Sequence, residues 1–226
     1  MFLNCKGNWM KRSAFTLLEL VMVIVVLGIL AAVSLPKLDR DIKQEAADSI
    51  LSDIRYTQHL ALMDNKHDFD NPKWHQRFWR IVFGTCTGTD KYYMIGTDDD
   101  TESATNALFD KTEAAIDPAN GKPMFWINGS ACQNGGDGTV SERIFISKQY
   151  GIKAVTPSGG CTNAAHIGFD HLGRPHAGFS TSTQPNHSSI MTTDCQFTFT
   201  LSDNTNFSIT IEKETGYAYI SDQPES

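Results

Sequence analysis

The hydrophobic residues are distributed unevenly, and the longest apolar stretch lies near the N-terminus. Residues 15–35 contain 17 apolar residues out of 21 and a single charge, at Glu19. As an α-helix, with a rise of about 1.5 Å per residue, this stretch would extend roughly 31 Å, which matches a bilayer core about 30 Å thick. The stretch is too long for a strand and lacks a turn signal. It predicts a transmembrane helix, with a buried helix of a soluble protein as the alternative.

A second helical pattern follows Pro36. Charged residues take most faces and one apolar stripe remains; it consists of Leu38, Ile42, Ala46, Ile50 and Ile54, with Ala47, Leu51 and Leu62 beside it. Proline lacks a backbone N–H and kinks or interrupts a helix. The pattern predicts one helix over about residues 15–64, kinked at Pro36, whose amphipathic part at 36–65 packs against a globular domain. Two helices broken at Pro36 are the alternative.

From about residue 76 the apolar period changes to that of β-strands. Short runs predict strands at 77–83, 91–95, 124–127 and 143–147, a pair formed by 167–169 and 177–179, and a C-terminal meander over 197–201, 207–211 and 217–219. Segments 128–139 and 180–189 are rich in Gly, Ser, Thr and Asn and predict surface loops. The expected fold class is α+β, with a long N-terminal helix packed on a C-terminal antiparallel sheet.

The charges around the apolar stretch predict its orientation. Lys6, Lys11 and Arg12 precede it, and residues 1–14 contain no acidic residue. Positive residues stay in the cytoplasm, so the N-terminus is expected inside and the C-terminal domain outside. A secretory signal cleaved near residues 31–34 and a simple signal anchor are the alternatives. Neither accounts for Glu19, because a carboxylate at membrane depth costs about 2.5–3.5 kcal/mol and is usually functional.

Residues 11–19, with the sequence KRSAFTLLE, resemble the class III leader of type IV pilins and type II secretion pseudopilins. The resemblance covers roughly residues 11–40. It implies cleavage by prepilin peptidase between Ala14 and Phe15, on the cytoplasmic side, followed by N-methylation of Phe15. The family usually has glycine before the cut, so Ala14 is a departure that slows cleavage. Gly28 and Pro36 lie where pilins commonly place a glycine and a proline.

The resemblance also implies a role for Glu19, which would be the fifth residue of the mature chain. In a filament its carboxylate would pair with the Phe15 amine of a neighbouring subunit, and this pairing would fix the axial register of assembly. A tolerated carboxylate that reaches the membrane surface is the alternative. On this interpretation the chain consists of a leader at 1–14, a transmembrane and assembly helix at 15–35, its amphipathic continuation at 36–65 and an extracytoplasmic β-rich domain at 66–226.

The function implied by the resemblance is structural and non-enzymatic. The chain would be a minor pilin or pseudopilin of a type IV pilus or a type II secretion pseudopilus, held in the bacterial inner membrane before assembly. Its partners would be other pilins through the N-terminal helix, prepilin peptidase and the inner-membrane assembly platform. Segments 169–175 and 209–220 are similar to H-type minor pseudopilins. The alternatives are a membrane-anchored extracytoplasmic binding module and an anchored exported enzyme.

Four of the five cysteines lie outside the leader. An even number in an exported domain predicts two disulfides with three possible connectivities. We favour the pairing of sequence neighbours, Cys86 with Cys132 and Cys161 with Cys195, while Cys5 leaves with the leader. A zinc site is the alternative, although the sequence contains no Cys-x-x-Cys motif.

The remaining candidate chemistry is sparse. His166, His171 and His176 recur every five residues, a spacing that fits neither a helix face nor a strand face, and we expect exposed loop histidines. Asp98 and Asp100, in an acidic run with Asp99 and Glu102, could hold calcium, an ion that prefers oxygen ligands. The turn glycine of an EF-hand loop is missing, and a solvated acidic loop is the alternative that we favour. We expect no other metal and no cofactor. No phosphate-binding glycine loop or Gly-x-Ser-x-Gly motif is present, and no enzymatic site is expected.

Composition and charge limit both the class of protein and the kinds of partner it can bind. The chain has 40% hydrophobic and 20% charged residues, which excludes collagen-like, disordered and multi-span membrane proteins. The formal net charge is −7, and loss of the leader would make it three units more negative. An acidic domain is a poor candidate for nucleic-acid binding. Residues 73–80, which interleave basic and aromatic side chains, are the exception, with a two-faced strand as the alternative.

Overall fold

The computed structural model describes residues 16–99, 109–126, 131–132, 138–162, 164, 166–181, 183–185 and 187–221, and for residues 32–41 the backbone alone. The chain divides into two compact units, Met1–Asp41 and Ile42–Ser226. The leader, Ala14 and Phe15 lie outside the described residues. An α+β layout, with an N-terminal helix followed by antiparallel sheets, is confirmed.

Helix α1 spans Leu17–Met63 and crosses the boundary between the two units. The helix is assigned through Pro36, and the kink expected there stays a prediction. Within the second unit the predicted apolar stripe is buried at Ala46, Ala47, Ile50, Leu51 and Ile54. Two residues of that stripe were predicted wrongly, because Ile42 is 41% and Leu62 51% exposed. The side chain of Leu38 is outside the described residues.

Eight strands form two antiparallel sheets of four strands each. Their bounds are β1 Trp79–Thr85, β2 Lys91–Gly96, β3 Ile152–Gly159, β4 His166–Phe169, β5 Pro175–His176, β6 Cys195–Leu201, β7 Asn206–Ile211 and β8 Ala218–Ile220. The first sheet has the order β2-β1-β4-β5 and the second the order β3-β6-β7-β8. Phe83 of the first sheet contacts Phe197 and Phe199 of the second, at ring-centroid distances of 4.8 and 5.6 Å. One shared core therefore joins the sheets.

Two predicted strands are absent from their described positions. Residues 143–147 form a short 3-10 helix, Glu142–Ile144, and the start of helix α2, Ile146–Tyr150. The apolar run there is buried at three consecutive residues, which a strand with one inward face would not produce. Residues 124–126 form no strand: Met124 bonds through its backbone to Ile95 and Ala115, but these bonds do not continue into a ladder, and the preceding residue, Pro123, makes only an isolated bridge with Ile116.

The strand pairing also differs from prediction at two places. β4 pairs with Pro175–His176 instead of with residues 177–179, since the turn between the strands is tighter than expected. Strand β3 was not predicted. It lies at the edge of the second sheet and contains Pro157, and both features weaken the alternation by which strands are recognised.

The disulfides join Cys86 to Cys132 and Cys161 to Cys195, the pairings favoured from the sequence. Their Cα atoms lie 5.6 and 5.1 Å apart. All four cysteines are buried, and Cys195 begins strand β6. The second bond therefore ties the loop after β3 to the strand that pairs with it.

Candidate functional site

Glu19 lies in the first turn of α1 and is exposed. Its backbone N–H donates to the hydroxyl of Thr16, 3.2 Å away, so Thr16 begins the helix in the manner of an N-cap residue. An acidic side chain in a first turn is also favoured by the helix dipole. The role of Glu19 in assembly stays a prediction, as do cleavage and methylation at Ala14 and Phe15.

The side chains that follow Glu19 are apolar and open on every face of the helix. All described residues from Thr16 to Ala31 are exposed, and the exposed fraction of the large apolar ones runs from 44% at Val21 to 82% at Leu17. A helix that is apolar all round is normally covered by protein or by lipid. Within the described residues, no helix combines the length and the apolar character required to cross a bilayer.

A second candidate site lies in the C-terminal unit, at the tight turn between β4 and β5. Asp170 organises this turn: its Oδ1 accepts from the backbone N–H groups of Leu172 (3.0 Å) and Arg174 (2.9 Å). Its Oδ2 accepts from Nε of Arg174 at 2.8 Å, and lies 2.7 Å from Nη2 of Arg174 and 3.4 Å from Nε2 of His176. Burial raises the pKa of Asp170, but the bonds from His176 and Arg174 outweigh it and hold the pKa well below its usual range.

Two contacts hold the Asp170 turn in place: hydrogen bonds from the side chain of Gln58 on α1, and a close approach between the backbones at Gly173 and Gly216. Nε2 of Gln58 donates to the carbonyl oxygens of Gly173 (2.9 Å) and Thr215 (2.8 Å). Gly173 and Gly216 both have positive φ, +80° and +67°. A Cβ on Gly216 would lie 2.2 Å from the carbonyl oxygen of Gly173, so only glycine fits there. These contacts fix where the Asp170 turn presents its side chains.

The loop after α1, residues 64–73, lies across a pocket from the Asp170 turn. Asn65, Asp68 and Asn71 each accept a hydrogen bond from the backbone N–H two residues on, which gives three successive Asx turns. The ring of His67 contacts those of Phe69 and Trp74, with centroids 4.4 and 4.5 Å apart. Phe69 itself is 91% exposed.

Between these walls lies a pocket of about 150 Å³. Its lining comes from the loop and 3-10 helix after α1, from the Asp170 turn and from the segment before β6: His67, Trp74, His75, Phe78, Asp170, His171, Arg174, His176, His187 and Ile190. Five histidines and two other aromatic residues thus surround one pocket, together with a single carboxylate–guanidinium pair.

The sequence-based expectation that the three regularly spaced histidines lie exposed in loops was wrong. His176 is 4% exposed in β5, with Nδ1 placed 2.8 Å from the hydroxyl of Ser189. His166 is mostly buried in β4, where burial and the nearby charge of Arg80 lower its pKa to about 4. His171 is half-buried at the pocket.

Ser189, His176 and Asp170 stand in a row that resembles a nucleophile, a base and an orienting acid. The hydroxyl of Ser189 belongs to a residue that is only 6% exposed, and the carboxylate is already paired with Arg174. Burial leaves little room for a substrate beside the hydroxyl. We interpret the row as an anchor that ties β5 to the 3-10 helix His187–Ser189.

The candidate ion ligands are placed differently from prediction. Asp98 is 4% exposed and its carboxylate lies 3.7 Å from the buried guanidinium of Arg80, whereas Asp100 is outside the described residues. Burial lowers the pKa of Arg80 to about 10, against the charges of Asp98 and Glu113, which raise it. In the described part of the chain, no three His, Cys, Asp or Glu side chains stand where they could hold a metal ion together.

The basic and aromatic segment at 73–80 is not a continuous exposed surface. It forms a 3-10 helix at Trp74–Arg77 and then enters β1. Arg80 is fully buried, with its guanidinium 5.3 Å from the ring centroid of Phe179, and Phe78 is 3% exposed. The segment instead contributes to the pocket and the core.

Sequence reasoning missed a buried ionic network beside α1. Asp53, which is 1% exposed, accepts hydrogen bonds from the hydroxyl of Tyr93 and the guanidinium of Arg143. Arg143 also lies 3.7 Å from Asp117, a fully buried carboxylate that accepts from Ser141 at 2.5 Å. Burial, reinforced by negative charge from Tyr150 and Asp117, raises the pKa of Tyr93 well above its ordinary value. The position of Asp53 among the buried stripe residues of α1 was the signal available in the sequence.

Comparison with known proteins identifies the N-terminal segment. Residues 9–35 match the family model described as the prokaryotic N-terminal methylation motif, the prepilin signature of type IV pilins and pseudopilins. The match covers 27 of the 226 residues and indicates a membrane-associated precursor of a pilin or pseudopilin, which in general contacts other pilin subunits and prepilin peptidase. No curated protein and no solved structure matches the chain.

Proposed function

We propose that the chain is a non-enzymatic minor pilin or pseudopilin subunit of a type IV pilus or a type II secretion pseudopilus. The observation that carries the proposal is the methylation motif at residues 9–35. It is supported by the sequence of that segment, where Glu19 is the one charge in the apolar run 15–35. Prepilin peptidase cuts between Ala14 and Phe15, the new N-terminus is methylated, and the mature chain enters a filament.

The exposed apolar helix supports this sequence of events. The described side chains from Thr16 to Ala31 are open on all sides, so this half of α1 requires a surrounding apolar phase. In the proposal that phase is the inner membrane, crossed once by residues 15–35 with the N-terminus in the cytoplasm, and later the packed helices of the filament. The assembly platform in the inner membrane moves the subunit from one to the other.

The composition of the C-terminal unit fits an exported domain. It contains both disulfides, and disulfides persist in the periplasm and outside the cell but rarely in the cytosol. The chain that remains after loss of residues 1–14 is longer than a typical major pilin, which favours a minor subunit. Segments 169–175 and 209–220 are similar to H-type minor pseudopilins.

A membrane-anchored binding module is the second candidate, favoured by the pocket at the Asp170 turn. A pilin subunit can itself carry such a pocket, so the two candidates differ in how the N-terminus is processed. The anchored module would keep Met1, whereas a chain cut by signal peptidase near residues 31–34 would lose its apolar segment and leave the membrane.

The decisive experiment is intact-mass and N-terminal peptide mass spectrometry of the protein purified from its own membranes. We expect a chain that begins at Phe15 and carries one N-methyl group, and an unprocessed chain in cells lacking prepilin peptidase. An intact Met1 in cells that contain the peptidase would overturn the proposal, and so would a chain that begins after residue 31.

A further inference from the structure

We propose that the pocket between the loop 64–73 and the Asp170 turn binds a small molecule made of one six-membered ring that carries a carboxylate. The site goes beyond the filament role and does not depend on it, because the lining residues all come from the C-terminal unit.

The size and walls of the pocket fit a single ring. Its volume of about 150 Å³ is close to that of an engineered protein cavity known to hold benzene. Trp74 and Phe78 form an aromatic wall, with ring centroids 5.4 Å apart and planes inclined at 76°, and Ile190 lies on the lining as well. Flat rings pack well against such faces, either stacked or edge to face.

The charge of the lining favours an acid. Asp170 is the one carboxylate among the described lining residues, and it is already bonded to Arg174, His176 and two backbone N–H groups. The pocket is therefore neutral to basic in a protein whose formal net charge is −7. A cation would find no uncommitted carboxylate among the lining residues described.

Arg174 supplies the group that would bind a carboxylate. It holds Asp170 through Nε and Nη2, and 41% of its side chain is exposed. Its Nη1 donors, which make no hydrogen bond to another described residue, can then receive an incoming carboxylate in the planar geometry that guanidinium groups prefer. The imidazoles of His67, His171 and His187 line the same pocket and add N–H donors.

The test uses the full-length protein in a mild non-ionic detergent, labelled with ¹³C in its histidine rings. Benzoate, benzamide and benzamidinium have nearly the same shape and differ in charge, so they separate the ring from the carboxylate. We expect benzoate to shift the pocket histidine signals with a Kd of about 1 mM, and benzamidinium to bind at least about tenfold more weakly. The signal of His59, which is exposed on α1 and is not one of the lining residues, stays fixed. Glucuronate is titrated in parallel with benzoate. A lower Kd for benzoate indicates an aromatic acid as the natural ligand, and a lower Kd for glucuronate indicates an acidic sugar.

Variants locate the binding. Arg174→Gln should raise the Kd for benzoate about tenfold, and Trp74→Leu and His187→Gln should also weaken it, while the matched control His59→Gln should not. Because Arg174→Gln removes a partner of buried Asp170, the other two variants, which break no ion pair, keep the test valid if that variant misfolds. The proposal is overturned if benzamidinium binds as well as benzoate, if Trp74→Leu and His187→Gln bind like the wild type, or if neither acid gives a saturable shift up to about 20 mM.

Discussion

The two halves of α1 share one backbone geometry but differ in how their side chains are covered. From Thr16 to Ala31 every described side chain is exposed, and nearly all are apolar. From Ile42 onward a single stripe is buried, and the other faces are polar. One neighbouring sheet is enough to bury a single apolar stripe, whereas a helix that is apolar all round needs apolar partners on every side. The second half therefore finds its partners within the chain, and the first half must find them elsewhere.

The acidic residues of the two halves show the same difference. Asp53 is 1% exposed and accepts from Tyr93 and Arg143 of its own chain. Glu19 is an exposed carboxylate among exposed apolar side chains. If the filament proposal is right, Glu19 acquires its ion pair only from the Phe15 amine of another subunit, so its loss should impair assembly and leave folding intact.

The largest expected effect comes from Glu19. We predict that Glu19→Ala is inserted and processed normally but enters filaments at least about tenfold less often, since an unpaired buried amine costs several kcal/mol. The measurement is immunoblotting of sheared filaments or cross-linked complexes against total membrane protein. Glu45→Ala, an exposed acidic residue in the second half, is the matched control. Normal incorporation of the Glu19 variant would contradict the role given to this residue.

The second largest effect is expected from Asp53, which lies in the C-terminal half of α1. Asp53→Ala leaves the buried hydroxyl of Tyr93 and the guanidinium of Arg143 without their acceptor, and we expect it to lower the free energy of unfolding by about 3–4 kcal/mol. Asp48→Ala, which removes only an exposed hydrogen bond from Gln44, should change it by less than about 0.5 kcal/mol.

Urea unfolding of the full-length protein in detergent, followed by tryptophan fluorescence, measures both Asp53→Ala and Asp48→Ala. Asp53→Asn should fall between them, because the amide oxygen can still accept from Tyr93. Equal stabilities of the Asp48 and Asp53 variants would remove the distinction drawn between exposed and buried acids on α1.

Local patterns in the sequence were sufficient for the helix and for most strands. The predicted range 15–64 for α1 compares with Leu17–Met63, and the meander at the C-terminus matches β6, β7 and β8. Prediction failed at residues 143–147, where Ile144, Phe145 and Ile146 are all fully buried. Continuous apolar runs do not distinguish a strand from a short helix, and Gly151 at the end of α2, with φ +69°, was the available helix-end signal.

The pocket could not be predicted from the sequence. Its walls come from residues 67–78, 170–176 and 187–190, which are distant in the chain and are brought together by the pairing of β1, β4 and β5. The methylation motif, by contrast, is contiguous, so one short segment was enough to recognise it. Sites made from neighbouring residues can be found in one sequence, whereas sites made by tertiary packing require the fold.

A smaller effect is expected from His166, whose environment belongs entirely to the C-terminal unit. Burial and the charge of Arg80 lower its pKa from 6.5 to about 4, so the folded state binds this proton less tightly than the unfolded state. The contribution of His166 to the free energy of unfolding is therefore fully present above pH 6.5. As the pH falls from 6.5 towards 4, this free energy decreases by about 2–3 kcal/mol. His166→Gln should flatten the urea-midpoint profile in that window, and His59→Gln should not. A wild-type slope in the His166 variant would assign the pH dependence to another group.

The smallest effect is expected from glycine substitutions in the C-terminal unit. Comparing Gly216 with Gly121 separates the cost of a positive φ from the cost of a steric clash. Gly216→Ala would place a Cβ 2.2 Å from the carbonyl oxygen of Gly173 and 2.6 Å from Nε2 of Gln58, at a φ of +67°, so the Asp170 turn and the Gln58 side chain must both move away from residue 216. Gly121 has nearly the same φ, +71°, but open space around its Cβ position. We expect a loss of about 2 kcal/mol for Gly216→Ala and about 1 kcal/mol for Gly121→Ala, measured by the same urea titration. Because Gln58 bonds to both Gly173 and Thr215, the Gly216 variant should also alter the pocket histidine signals, while Gly121→Ala should leave them unchanged. Equal losses with unchanged histidine spectra would show that backbone strain alone, and not the packing of the turn on α1, makes glycine necessary at residue 216.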